Sequence, residues 1–101
     1  MSETNIAETI DESIDISMPK MYKVLLHNDE TTTFDFVITV LVRVFHKSLP
    51  DAIEITKNIH LAGQGIAGSP YTREIAEEKS AETISFARAN GFPLTATFEE
   101  L

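Results

Sequence analysis

The rhythm of hydrophobic and polar positions changes several times along the chain, and each change marks an element. From Met21 to His27, Tyr22, Val24 and Leu26 alternate with Lys23, Leu25 and His27, the period of two expected for a strand with one better-buried face. The run stops at Asn28-Asp29-Glu30. Thr32 or Thr33 can then cap a helix, and Thr32 with Asp35 makes a weak capping box. Phe34, Val37, Ile38, Leu41, Val42 and Phe45 recur at three- and four-residue intervals, which predicts a wide core-facing stripe on that helix. Ser48-Leu49-Pro50-Asp51 is a second start signal, with Ser48 as N-cap, Pro50 tolerated in the first turn and Asp51 favourable at the positive end of the helix dipole. This helix is expected to run to about Ala62, where Gly63-Gln64-Gly65 stops it.

Ile66-Ala67-Gly68 has room for only a short strand, and Ser69-Pro70-Tyr71-Thr72 turns into a third helix that ends at Asn90-Gly91. Ile75, Ala76, Ile84, Phe86 and Ala87 are its apolar positions, and Glu77, Glu78 and Glu82, with Lys79 interleaved, read as a solvated face. Leu94, Ala96 and Phe98 then alternate with Thr95 and Thr97 as a last strand. The order βααβαβ predicts an α+β two-layer domain, a three-stranded antiparallel sheet packed against three helices.

Before this, residues 1–20 are rich in Ser, Thr and acids and read as a disordered acidic tail, leaving residues 21–101 as the folded domain. Ile6, Ile10 and Ile14 fall at helical spacing within the tail, which suits a transient helix or docking on a partner as well as a solvated chain. The 101 residues, 43% hydrophobic, suffice for one small core. With no cysteine there is no disulfide framework and no thiolate chemistry, a composition that fits the cytoplasm. Acids without Lys or Arg before Lys20 are the opposite of a targeting segment, and no apolar run is long enough to span a bilayer. A net charge of -8 with only eight scattered Lys and Arg argues against nucleic acid and favours positively charged ligands.

Two polar groups are pinned between rigid elements. Asn28-Asp29-Glu30 offers amide and carboxylate oxygens next to a helix start, a set that suits an ammonium group and equally suits a plain turn. His60, beside Ile59 and Leu61 near a helix end, can accept one hydrogen bond from a ligand or serve a structural role. No pair among His27, His46 and His60 has metal-ligand spacing, so no metal or cofactor is expected. Gly63-Gln64-Gly65 lacks the preceding strand of a dinucleotide loop, and no nucleophile is singled out. Binding without catalysis is the expectation.

Taken together, MYKVLLHNDETTT, the FVI of the first helix, the IH of the second, the GxGIAG loop, EIAEEK and FPLTAT resemble, in this order over about residues 21–99, the Clp protease adaptors called ClpS. The resemblance implies a non-catalytic, monomeric module that holds the first residue of N-degron proteins, with Phe, Tyr, Trp or Leu at the N-terminus. It further implies that Asn28 and His60 accept hydrogen bonds from the α-amino group, Asp29 adds negative potential and Thr32 bonds the peptide backbone. Phe34, Val37, Leu41, Thr56, Ile59 and Leu94 match positions around the first side chain. Glu74 and Lys79 match positions that meet the N-terminal domain of a ClpA-type AAA+ unfoldase. The chain departs from the family pattern at Glu30, where Asp is more usual, at Thr33, where Pro is common, and at Thr56, where many members have Met. The competing reading is a structural domain of the ribosomal-stalk type, which shares the βααβαβ order without an amine pocket.

Overall fold

The structure is a computed structural model and describes residues 19–101. The tail expected over residues 1–20, with its Ile6, Ile10 and Ile14 spacing, lies outside the described residues except for Pro19 and Lys20. The elements follow the expected order: β1 (Tyr22–His27), α1 (Phe34–Arg43), α2 (Leu49–Ala62), β2 (Gln64–Tyr71), α3 (Arg73–Ala89) and β3 (Thr95–Glu100). The sheet is antiparallel in the order β2-β1-β3, with His27 opposite Gln64 on one side and Thr95 on the other. Val24 and Leu26 of β1, Ala67 of β2 and Ala96 of β3 enter one core with the buried faces of the helices. Leu25 is also buried but belongs to the other side of the sheet, where its register partners are Ile66 and Thr97.

β2 is longer than its sequence suggests, because strand pairing with β1 carries it through Gly65, Gly68 and the cis Ser69–Pro70 peptide. Gly65 is required by packing: a Cβ there would stand 2.8 Å from Ile59 Cγ1, so the strand passes α2 at backbone distance. The second helix forms as its sequence predicts, with the Ser48 hydroxyl accepting from Asp51 N, and Gly63 closing it at φ 92 in the left-handed region.

Two faces differ from the sequence pattern. On α1 the buried residues are Phe36, Val37, Val40 and Leu41, while Phe34 and Val42 of the expected stripe are 45% and 37% exposed. Asp35, Thr39 and Arg43 form one polar stripe facing away from the core, and the apolar surface left over is wider than the part the core covers: Val42 borders that stripe and Phe34 is the first residue of the helix. Thr33, and not Thr32, is the N-cap, its hydroxyl accepting from Phe36 N, and the Thr32–Asp35 capping box does not form.

On α3 the inward residues are Ala76, Ser80, Thr83 and Ala87, at positions i, i+4, i+7 and i+11, while Ile75 is exposed. Small residues let the helix lie close to the sheet and carry little hydrophobic contrast in sequence. Thr83 donates its hydroxyl to Lys79 O, but Ser80 Oγ is buried with no hydrogen-bond partner. Ser80→Ala removes that unpaired group and improves helix propensity, so it is expected to raise stability by about 1 kcal/mol, or Tm by about 4–8 °C in a domain of this size. A thermal melt reading a lower Tm would show that the hydroxyl is in fact paired.

Candidate functional site

The end of β1, the end of α2 and the start of α1 meet at one corner of the domain. Asn28 N donates to Gly63 O at 2.9 Å, fastening the residue after β1 to the residue that closes α2. His60 lies in the last turn of α2, three residues before Gly63, and its ring meets that of Phe34, the first residue of α1, edge to face at 5.3 Å between centroids. Asn28 and His60 are both exposed. The negative end of the α2 dipole lies at the same corner, which favours a cation there.

Asp29 holds the turn between β1 and α1. Its Oδ1 accepts from Thr31 N at 2.8 Å and Thr32 N at 2.7 Å, and its Oδ2 accepts from the Thr32 hydroxyl at 2.7 Å. Partial burial alone would push its pKa up. The hydrogen bonds from Thr32 N, the Thr32 hydroxyl and Thr31 N, helped by the positive charge of Arg88, outweigh burial and hold the carboxyl below its ordinary value. A carboxylate has about four lone-pair positions, so three are occupied and little direct capacity is left for a ligand. Thr32 has spent its hydrogen on Asp29, and its oxygen is left to accept.

Val37, Leu41, Ile59 and Leu94 are all buried members of the one hydrophobic core. Thr56 is buried beside Ile59 on the inner face of α2, and its hydroxyl donates to Ala52 O at 2.7 Å within the helix. Thr56 therefore turns a methyl, not a free hydroxyl, toward the interior. Glu74 is exposed in the first turn of α3. Lys79 departs from the solvated-face reading: it is half-buried, and its Nζ donates to Val44 O at 2.8 Å between the rings of Phe45 and Tyr71. Sequence reasoning missed Arg88, whose Nη1 donates to both Phe92 O and Leu94 O. An arginine just before Asn90-Gly91 is the only signal the sequence offers for it.

A separate cleft of about 360 Å³ opens between the end of α1 and α3, lined by Arg43, Val44, Glu82, Ser85, Phe86 and Ala89. It contains none of the residues predicted for binding. Among the described residues no group of three or more His, Asp or Glu is placed to hold a metal, and no helix is long and apolar enough to cross a membrane.

Asn28, Asp29 and His60 thus share one corner of a six-element α+β domain, next to the C-terminal end of α2. The chain belongs to the family of the ATP-dependent Clp protease adaptor protein ClpS, whose pattern matches residues 17–97. It is 53% identical over 81 residues to the ATP-dependent Clp protease adapter protein ClpS of Desulfatibacillum aliphaticivorans, covering 80% of this chain and 77% of that one. It is 44% identical over 99 residues to the ClpS of Clostridium acetobutylicum, covering 98% and 97% respectively. Among solved structures, Agrobacterium tumefaciens ClpS2 bound to L-phenylalaninamide is similar, with a TM-score of 0.79 and 36% identity over 83% of this chain and 100% of that one. Family membership sets aside the ribosomal-stalk reading.

The Asp29 turn has a pH signature. Because its folded-state pKa is depressed, the ionised carboxylate contributes stability above the ordinary Asp value, and that contribution is lost as pH falls through the lowered value. Asp29→Asn is expected to destabilise the domain at neutral pH by on the order of 1 kcal/mol, kept small because solvent reaches the turn. The difference from the wild type should close below about pH 4. Thermal melts of both proteins across that range test this, and a difference independent of pH would remove the carboxylate from the account.

Proposed function

We propose that this adaptor recognises N-degrons: it holds the free α-amino group and the bulky apolar first side chain of a substrate and delivers it to a ClpA-type AAA+ unfoldase. The observation that carries the reading is the His60–Phe34 contact at 5.3 Å at the same corner as the tethered Asn28, on helices whose Val37, Leu41 and Ile59 are buried in the core together with Leu94. It is supported by the relative bound to L-phenylalaninamide, a molecule that consists of an α-amino group and a benzyl side chain on a capped carbonyl. In this reading residues 21–101 form the recognition domain and residues 1–20 a tail.

An α-amino group has a reference pKa of roughly 8, so it is mostly charged at neutral pH and costly to desolvate without several acceptors. The Asn28 amide oxygen and a His60 ring nitrogen supply two. Asp29, with its lone pairs largely committed to the turn, contributes charge more than contact. The Thr32 oxygen, its own hydrogen already given to Asp29, accepts a backbone N–H of the bound peptide. Burying a Phe or Leu side chain gives roughly 1.5–3 kcal/mol, whereas micromolar affinity needs about 8 kcal/mol, so amine and pocket must act together. The partners that follow are substrates beginning with Phe, Tyr, Trp or Leu and the N-terminal domain of the unfoldase, met by the face that carries Glu74 and the anchored Lys79.

Fluorescence anisotropy with a Phe-initiated peptide tests the site. His60→Ala or Asn28→Ala is expected to weaken binding at least about tenfold, and N-acetylation of the peptide should abolish it. Unchanged affinity in both variants, with circular dichroism reporting an intact fold, would remove the assignment.

Thr56 is expected to set the size preference. It is shorter than Met, so the pocket has more room and aromatic first residues should be favoured over Leu. In a peptide panel that differs only in the first residue, Thr56→Met should shrink the Phe-to-Leu ratio. Thr56→Val should leave it unchanged, because the wild-type hydroxyl is spent within α2. A ratio unmoved by Thr56→Met would show that residue 56 does not shape the pocket.

A further inference from the structure

The loop between α3 and β3 brings Leu94 into the buried cluster, and it is a loop poor in donors of its own. Its first turn is closed by the helix end: Asn90 Nδ2 donates to Phe86 O, Gly91 N to Arg88 O and Phe92 N to Ala87 O. Pro93 has no N–H to give. The carbonyls of Phe92 and Leu94, on either side of it, are both taken by one atom, Arg88 Nη1, at 3.0 Å and 2.8 Å. On its other side the loop is held by aromatic packing, the Phe92 ring lying 4.7 Å from that of Phe36 on α1.

We propose that Arg88 is a positioning residue for substrate recognition: by clamping Phe92 and Leu94 it fixes Leu94 as one wall of the side-chain pocket, against Val37, Leu41 and Ile59. This rests on the N-degron reading of the site. Arg88 sits in the last turn of α3, where a cation is favourable to the helix dipole, and its charge reaches across to the Asp29 turn and helps keep that carboxylate ionised. One guanidinium thus serves both sides of the site, the α3–β3 loop that carries Leu94 and the β1–α1 turn that carries Asn28, Asp29 and Thr32. A lysine would keep the charge and has donors enough for both carbonyls, but its nitrogen ends one bond nearer the backbone and falls short of them.

The test compares wild type, Arg88→Met, which keeps the apolar stem, and Arg88→Lys, which keeps the charge, using peptides that begin with Phe or with Leu. Arg88→Met is expected to weaken Phe-peptide binding about tenfold and to change the Phe-to-Leu ratio, because a displaced wall alters the pocket's shape. A loss of folded protein would instead scale both affinities equally. Arg88→Lys should leave the Asp29 carboxyl titration, followed by NMR, as in the wild type, and still lose about threefold in affinity with the altered ratio. Should Arg88→Met not fold, Arg88→Lys decides alone. If the wild type binds no Phe-initiated peptide, the N-degron reading fails and this inference fails with it. If the wild type binds while the folded variants keep both its affinity and its ratio, this inference alone is overturned.

Discussion

Asp29 decides how the rest of the site is arranged. Three hydrogens converge on its two carboxylate oxygens within four residues, and they bend the chain from the last residue of β1 into the cap of α1. The turn leaves Thr33 at the N-cap, and the helix is rotated so that its one polar stripe, Asp35, Thr39 and Arg43, faces away from the core. With that rotation Val37 and Leu41 enter the core and Phe34 is left at the surface beside His60. The feature with two readings in the sequence, a turn or an ammonium site, thus has a turn's hydrogen bonding in the structure, and the turn is what places the acceptors around it. Scaffold and proposed site are the same few residues.

Most of the architecture was legible in the sequence because its signals are local. Ser48 and Pro50 at the start of α2, Gly63 at its end and the alternation in β1 each report a backbone requirement that tertiary packing does not override. What was not legible depends on contacts distant in sequence. β2 is a strand through Gly65 and Gly68 only because β1 lies alongside and Ile59 presses on it, and nothing in its composition says so. The inner face of α3 is built of Ala, Ser and Thr, because closeness to the sheet there matters more than apolar volume, and a hydrophobicity pattern does not register such a face.

The same distinction runs through the site. Asn28, Asp29 and His60 stand out in sequence as polar groups held between rigid elements. Lys79 looked like one more charge on a solvated helix, yet its ammonium is held by Val44 O, at the carbonyl end of α1, and lies near two aromatic rings. A charge pattern along a helix cannot reveal that another helix ends over one of its members. Arg88 is hidden for the same reason, since the carbonyls it satisfies belong to a loop whose course is fixed only when Phe92 packs on Phe36.

A chain of net charge -8 attracts any cation, and every protein displays many lysine ammonium groups, so long-range charge by itself does not select an N-terminus. In the proposed mode of binding, selection comes from connectivity. An α-ammonium and the first side chain branch from one Cα, whereas a lysine ammonium ends a flexible four-carbon stem and brings no bulky group with it. In that mode, acceptors at the edge of an apolar pocket can be filled together with the pocket only by the first arrangement. Neither half suffices alone, because an ammonium with two or three acceptors roughly recovers what it loses on leaving water, and a single apolar side chain is worth only a few kcal/mol. The rigidity of the corner, with Asn28 tied to Gly63 and Asp29 tied to Thr31 and Thr32, keeps the two halves at a fixed separation. That separation is what a chain terminus has and a lysine lacks.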